Sequence, residues 1–426
     1  MAPAASTVRR RFGADFWKFL SAQTISSLGS SFTMFALPLL VYKLTGSAIN
    51  LALITAAEYL PYLLFGLFVG AGVDRVDRKR LMIFTDVAQA LVIGSIPLLY
   101  ALDLLSVGWI YGVGFVSSTL WILFNTAEFA AIPGLVDKVD LIAANGRLQA
   151  SYSAASVAGP LLAGMLVALM PVPSVLLFDA FSFLVSALAV ASIRTSFSAA
   201  RAEEKKRSGS AFRQEVVEGL RYVVGHPVLR STAAMMALAS SVGFTVYAQL
   251  VLFAKEQLSA TDAQVALLFA AGNVGMIGLA LTAGPLRRRL PFSKVALGTI
   301  MAGGVMIMLL SLTRHYWIAL SLWTLIWGLA VLFQINSNSL WQAIVPNHLL
   351  GRVQGVMTVA YWSAIPLGAF VGGVVIERTH NVALVYGAIG ALISLCALAF
   401  SFTALGHAER YLPQENSQDE WEAASY

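Results

Sequence analysis

Four carboxylates interrupt the long apolar runs of this 426-residue chain: Glu58, Asp86, Glu128 and Asp179. No Lys, Arg or His lies deep in any of these runs. A carboxylate that is surrounded by hydrocarbon and has no basic partner is costly to keep ionised, so it can take up and release a proton near neutral pH. Such a group could couple a process to a proton gradient or attract a cationic ligand.

The depth of each carboxylate in its run separates the four. Glu58 is near the middle of its run, Asp86 and Glu128 are within about two turns of one end, and Asp179 is similarly near the opposite end. We therefore expect Glu58 to be a proton-coupling or substrate residue, with Glu128 and Asp179 as the next candidates. Alternatives remain open: a protonated Glu58 bonded to backbone, Glu128 and Asp86 paired with basic loop residues, and Asp179 bridging at the outer face.

The apolar runs place the chain among polytopic membrane proteins. Hydrophobic residues make up 58 % and charged residues 12 %, whereas soluble domains carry about a quarter charged residues. A membrane-spanning helix needs about 20 mostly apolar residues. We predict an all-α membrane protein whose twelve transmembrane helices lie at 17–42, 48–71, 81–101, 107–132, 147–170, 174–193, 229–254, 263–285, 292–312, 316–344, 354–376 and 382–404.

The basic residues orient these spans. In the twelve-span map, 24 of the 28 Lys and Arg residues fall in the two tails, in the even-numbered loops or at the span ends that adjoin them. Only Lys43, Lys255, Arg314 and Arg378 fall in the odd-numbered loops. Because basic residues concentrate in cytoplasmic loops, we expect a multi-pass protein of the cell (plasma) membrane with both termini cytoplasmic.

A shift of 209 residues superimposes the Gly159–Gly164 stretch of span five on Gly368–Gly373 of span eleven, and Asn125 of span four on Gln334 of span ten. This repeat predicts two pseudo-symmetric six-helix bundles. The expected organisation is a cytoplasmic tail (1–15), an N-terminal bundle (16–195), a cytoplasmic central loop with an amphipathic helix (196–227), a C-terminal bundle (228–405) and a second tail (406–426). An unstructured linker is the alternative for the central loop.

The loop after span two has the most specific motif of the chain. It resembles the loop signature of the major facilitator superfamily, with Asp77 where that signature has a second glycine; the matching residues are Gly70, Asp74, Arg75, Arg78, Lys79 and Arg80. The glycine lets two helices approach closely, and the aspartate can accept hydrogen bonds from a helix N-terminus. We expect the basic residues to anchor to anionic headgroups, and Asp77 to fill its turn in a left-handed conformation.

A second motif lies in span five. Gly159, Pro160 and Gly164 resemble the signature of the superfamily's exporters, which implies outward transport in exchange for protons. Four further stretches resemble one branch of the superfamily, which holds macrolide efflux proteins and the enterobactin exporter. They are Thr45–Ser47, His226–Pro227, Val345–Pro346 and Gly351–Arg352.

The superfamily's fold implies that spans one, four, seven and ten line a central cavity. Polar stripes fall on these four spans, and polar side chains are costly against lipid. We therefore expect these residues to line the cavity: Gln23, Ser27, Ser30, Trp121, Asn125, Gln249, Trp327, Gln334 and Asn338. Hydrogen bonding between helices without substrate contact is the alternative, above all for the serines.

The resulting hypothesis is a proton-coupled exporter of small hydrophobic or cationic molecules, working by alternating access. It needs no cofactor beyond the proton gradient; its partners are the substrate and the lipid bilayer, without nucleic acid, and it acts as a monomer. A siderophore exporter is an alternative, although its anionic cargo would require basic residues in the cavity. A non-transporting scaffold or sensor is another, whereas an enzyme is disfavoured because no histidine lies deep in a span.

Overall fold

A computed structural model describes residues 12–66, 69, 73, 76–195, 197 and 209–412. Gly70, Asp74 and Arg75 of the loop motif lie outside the described residues. The described part of the chain is helical and contains no strand, which confirms the predicted fold class.

Within the described part of the chain, twelve helices are long and apolar enough to cross a membrane, and they coincide in order with the predicted spans. Spans one to twelve are Ala14–Thr45, Ala48–Phe65, Arg78–Ala101, Val107–Leu135, Leu141–Val167, Val172–Ser192, Pro227–Ala248, Asp262–Ala280, Phe292–Leu312, Tyr316–Ile344, Leu349–Thr379 and Val382–Ser401. Span eleven consists of two helices, Asn347–Ser363 and Ile365–Thr379, that meet at Ala364. The remaining helices are Gly209–Gly225 in the central loop, Leu250–Glu256, Ala283–Arg289, and the short 3-10 helices Lys138–Asp140 and Ala404–Tyr411.

Local signals fix where the spans begin. Gly46 has a φ of 60°, a left-handed conformation that lets the chain reverse between spans one and two. The Ser47 hydroxyl then accepts a hydrogen bond from the Asn50 N–H, satisfying one of the free donors at the helix start. Span eight begins with a capping box between Thr261 and Gln264.

The sequence repeat corresponds to repeated helix crossings. A Cβ atom on Gly159 would lie 2.3 Å from the Cβ of Ser31 in span one. At the position 209 residues later, a Cβ on Gly368 would lie 1.6 Å from the Ser241 carbonyl oxygen in span seven. The two glycines thus make equivalent close crossings within the two halves, which explains why side chains are missing at these points.

The same repeat also shapes the boundary between the halves. A Cβ atom on Gly164 of span five would lie 2.4 Å from the Cβ of Ala266 in span eight, and one on Gly373 of span eleven would lie 2.5 Å from the Cβ of Ala52 in span two. Spans five and eight, and spans two and eleven, therefore form the two seams between the halves. Within the exporter-like motif, Gly159 packs against span one and Gly164 packs against span eight. Pro160 lies buried inside the same helix.

Among the described residues, the hydrophobic core that the two halves share lies toward one face. We name this the odd-loop face, because it carries the odd-numbered loops, and the opposite side the tail face. Toward the odd-loop face one hydrophobic core includes buried residues of both halves, such as Phe35 and Phe269, whose ring centroids are 5.8 Å apart. Toward the tail face the N-terminal half has its own core around Phe16 and Met82, and the C-terminal half another around Trp341 and Val353.

Replacing Gly368 by alanine is expected to destabilise the C-terminal half. The new methyl group would overlap a backbone oxygen that cannot move away without displacing span seven, and overpacking of this kind costs about 1–3 kcal/mol or more. Thermal unfolding in detergent measures the effect. Gly298→Ala is the matched control, because a Cβ at this position of span nine meets nothing within 4 Å. Equal melting temperatures for both variants would contradict the close crossing.

Candidate functional site

The carboxylate of Glu58 lies at the seam between the halves without a hydrogen-bonding or ionic partner among the described residues. Span four packs closely against it, since a Cβ on Gly114 would lie 3.4 Å from the Cγ of Glu58. The Ser118 hydroxyl donates to the backbone oxygen of Glu58 at 2.5 Å. The hydroxyl of Thr55, one turn away, donates to the Leu51 carbonyl at 2.9 Å. Thr55 is therefore engaged with its own helix.

Tyrosines from both halves lie in the neighbourhood of this carboxylate. They are Tyr59 and Tyr62 in span two and Tyr247 in span seven. Each of these tyrosine hydroxyls can donate a hydrogen bond. The surroundings of Glu58 thus combine one potential negative charge with aromatic rings.

The rings form a continuous cluster across the seam. The centroid of Tyr59 is 4.8 Å from that of Phe244, Phe244 is 5.1 Å from Tyr247, and Tyr247 is 5.3 Å from Trp327. Trp362 in span eleven stacks on Tyr59 at 5.4 Å. Aromatic faces attract both apolar molecules and cations, so this cluster is suited to drug-like or cationic ligands.

A cavity in the C-terminal half adjoins the cluster. It lies among spans seven, nine and ten, and its lining is mainly apolar and aromatic, without a charged residue. Its lining includes Phe244, Tyr247, Trp323, Trp327, Gln334 and Tyr361. An apolar pocket with a few polar groups is typical of small-molecule sites.

The residues predicted to line the cavity differ in their location and in their exposure. Trp327 and Gln334 line the cavity described above. Trp121 and Asn125 are exposed on span four, and the Trp121 ring lies 6.1 Å from that of Tyr62. Ser27 and Asn338 are half-buried.

For two other residues the expectation requires correction in this conformation. Gln249 is fully buried, and its side-chain nitrogen donates to the Ala48 carbonyl of the other half at 2.8 Å. Gln23 is likewise buried, and its nitrogen has no hydrogen-bond partner among the described residues. Gln249 contributes to the closed seam because the halves meet there, a contact that helical periodicity cannot reveal.

Asp179 lies in a polar cluster between spans one and six. Its carboxylate accepts hydrogen bonds from the hydroxyls of Thr33, Ser30 at 3.4 Å and Ser182 at 3.3 Å. Ser30, predicted to line the cavity, thus faces this carboxylate. Asp179 thus has several hydroxyl donors, whereas none is described for the carboxylate of Glu58.

Glu128 and Asp86 lie in the N-terminal half and interact electrostatically with each other. The Tyr152 hydroxyl donates to Glu128. Both carboxylate oxygens of Asp86 are buried without a hydrogen-bond partner among the described residues. The guanidinium of Arg78, expected as a partner of Glu128, donates to the backbone carbonyl of Ala130 at 2.9 Å.

The described part of the loop motif caps helices. Asp77 has φ −67°, so the expected left-handed turn is wrong; its carboxylate instead accepts the Arg80 N–H at 2.9 Å and caps span three. Lys79 donates to the carbonyls of Ala191 and Ile193 at the end of span six, at 3.0 and 2.6 Å. Lys79 therefore stabilises a helix C-terminus. From the sequence we expected it to bind lipid headgroups instead. Arg80 is exposed.

Tyr59 and Tyr247 are site residues that the sequence did not reveal, and Trp362 could be read from it only as one of several aromatic residues that could form a cavity wall. One signal was available, since Tyr59 and Tyr62 follow Glu58 on the same helix. For Tyr247 and Trp362 no local pattern pointed to Glu58, because they come from the other half of the chain.

Twelve spans in two pseudo-symmetric halves, with a cavity beside the seam, define a major facilitator superfamily transporter, a class that is not enzymatic. A family model described as "Transmembrane secretion effector" matches residues 6–424, and the chain belongs to this family.

Two relatives of known name match the chain, one of them over most of its length. "Multidrug efflux pump Tap" of Mycolicibacterium fortuitum is 26 % identical over 410 residues, which is 94 % of this chain and 96 % of the relative. "Macrolide efflux protein A" of Streptococcus pyogenes is 26 % identical over 180 residues, 42 % of this chain and 44 % of the relative.

Solved transporter structures share the fold. An inward-facing, unoccupied bacterial homologue of the human lysosomal transporter Spinster has a TM-score of 0.73 at 12 % identity, covering 94 % of this chain and 98 % of that one. The nucleoside transporter NupG has a TM-score of 0.72 at 12 % identity, covering 91 % and 98 %.

Proposed function

We propose that this protein is a proton-driven exporter of small hydrophobic or cationic molecules. The observation that carries the proposal is Glu58, whose carboxylate has no partner among the described residues, beside an aromatic cluster and cavity at the seam between two transporter halves. The names of the full-length relative, a multidrug efflux pump, and of the macrolide efflux protein support drug-like cargo. The absence of basic residues from the cavity lining disfavours an anionic siderophore.

The proposed cycle uses Glu58 for two ligands in turn. When ionised, its carboxylate attracts a cationic cargo into the aromatic cluster, where the rings desolvate it. When protonated, it no longer holds that cargo, because the counter-charge is lost. A proton entering from outside would thus promote release, and its loss on the inside would prepare the site for the next molecule, with the halves rocking about the seam between these events.

The proposed orientation makes the tail face cytoplasmic. The structure, joined toward the odd-loop face, then represents an inward-facing state, in which cargo enters from the cytoplasm. The same orientation follows from the 24 basic residues on the tail side.

Reporter fusions test this orientation. A reporter active only in the cytoplasm is expected to be active after Arg207 and at the C-terminus, and inactive after Arg314 in an odd-numbered loop. Paired fusions of a reporter active only outside the membrane should give the reverse pattern. External activity after Arg207 would overturn the proposed direction of transport.

The function itself is tested by flux. Purified protein in liposomes with an imposed pH gradient should move ethidium, a planar monocation, against its concentration gradient, and an uncoupler should abolish the movement. Liposomes without protein provide the baseline. Ethidium accumulation that persists unchanged with the uncoupler would rule out proton drive, and no flux of any tested drug would favour a scaffold or sensor.

A further inference from the structure

Beside Glu58, the ring of Trp362 covers two tyrosines of the opposite half. Its centroid is 5.4 Å from that of Tyr59 with planes at 10°, and 5.5 Å from that of Tyr62 with planes at 19°. The two tyrosine rings are themselves nearly parallel, at 24° and 5.9 Å. Tyr59 and Tyr62 therefore present two nearly parallel rings on span two, which we name the tyrosine platform, and the indole stacks on both.

The platform stands at the functional seam. From the odd-loop face inward, spans two and eleven meet first at Ser47 and Glu377, then at Ala52 and Gly373, and then at the platform. The neighbouring ring, Tyr361, lines the cavity of the C-terminal half. The indole of Trp362 thus contacts a ring that lines the cavity, 5.0 Å between centroids, and lies on two tyrosines of the helix that carries Glu58.

Trp362 lies next to an interruption in the helical hydrogen bonding of span eleven. The helix breaks at Ala364, two residues beyond Trp362. Pro366 has no N–H and so cannot donate the usual helical hydrogen bond to the Trp362 carbonyl. A helix interrupted in this way allows the preceding turn to rotate without breaking a continuous ladder of hydrogen bonds.

We propose that Trp362 is a specificity-determining residue that occupies the tyrosine platform in place of cargo, and that planar aromatic cargo binds by displacing it. This inference rests on the proposed function of drug export. Bound cargo then stacks on Tyr59 and Tyr62 with a positive charge next to Glu58. Non-planar cargo of the same charge uses the cavity and Glu58 but gains nothing from the platform.

Two cations of equal charge and different shape test the proposal: ethidium, which is planar, and tetraphenylphosphonium, which is not. Their Kd values are measured on the purified full-length protein in nanodiscs. Trp362→Ala is expected to lower the Kd of ethidium about two- to tenfold, the size of an aromatic stacking contribution, and to leave that of tetraphenylphosphonium within twofold. Trp362→Phe, with a smaller ring, should lie between wild type and the alanine variant.

A substitution in the platform itself should change the Kd of ethidium in the opposite direction. Tyr59→Leu should raise the Kd of ethidium about two- to tenfold, again with little change for tetraphenylphosphonium. Trp317→Ala, on an exposed tryptophan at the start of span ten, is the control for loss of an indole, and melting temperatures verify folding.

Three outcomes would overturn the inference. Equal changes for both cations in Trp362→Ala would indicate a shift between conformations, and weaker ethidium binding in that variant would make Trp362 a cargo contact. If both cations bind but no variant changes the Kd of one more than that of the other, the inference is refuted and the proposed function stands. If the wild type binds neither cation and transports no drug, the proposed function fails with it.

Discussion

Glu58→Gln is expected to abolish proton-driven transport while leaving the protein folded in the membrane. A neutral amide resembles the protonated acid in size and is inexpensive in hydrocarbon, but it cannot release a proton. Cationic cargo should lose more transport than neutral cargo, because the variant also lacks the counter-charge. Uptake of ethidium and of a neutral macrolide into inverted vesicles, with and without a pH gradient, measures both effects; we expect at least a tenfold loss of gradient-driven ethidium uptake.

Asp179→Asn is the informative comparison for this experiment. Asp179 is buried, whereas Glu58 is half-buried; Asp179 already has hydroxyl donors from spans one and six, and it does not line the cavity. We expect this variant to retain gradient dependence. Wild-type rates and pH dependence in Glu58→Gln would reduce Glu58 to a structural group, and loss of gradient dependence in Asp179→Asn alone would move the coupling role there.

Asp262→Asn is expected to open the odd-loop face. The carboxylate of Asp262 in the C-terminal half binds Lys43 of the N-terminal half at 2.5 Å and Lys255 of its own half at 2.5 Å. Nearby, Glu377 accepts hydrogen bonds from the Ser47 hydroxyl at 3.0 Å and the Ile49 N–H at 3.3 Å. The contacts of Asp262 with Lys43 and of Glu377 with Ser47 and Ile49 join the two halves and stabilise the closed state, so weakening them shifts the equilibrium toward the open one.

Accessibility of a cysteine at Ala52 measures this shift, after the native Cys396 is replaced by serine. A membrane-impermeant maleimide added on the odd-loop side should label it several-fold faster in Asp262→Asn, and faster still with Glu377→Gln. The expected size is modest because Lys43 is partly exposed and such pairs contribute about 0.2–1 kcal/mol. Lys18→Gln is the control, since Lys18 pairs with Asp15 inside one half. Unchanged labelling would show that apolar packing alone closes this face.

The sequence by itself determined the twelve spans and their duplication. Hydrophobic length is a local property, because each span must satisfy its own backbone within the bilayer. The 209-residue shift also relates the ends of the helices. Span four is Val107–Leu135 and span ten is Tyr316–Ile344, so both ends differ by 209 residues. The depth of Glu58 was also readable, since position within a span follows from counting residues at a fixed rise.

Only the tertiary structure decided which polar residues face the cavity and which close the seam. Gln249 and Gln334 lie on equally plausible polar stripes, yet one is buried against Ala48 and the other lines the cavity. The stacking of Trp362 on Tyr59 likewise joins positions some 300 residues apart. Helical periodicity gives the face on which a side chain lies but not the neighbour that covers it, because packing between halves depends on how two rigid bundles are tilted against each other.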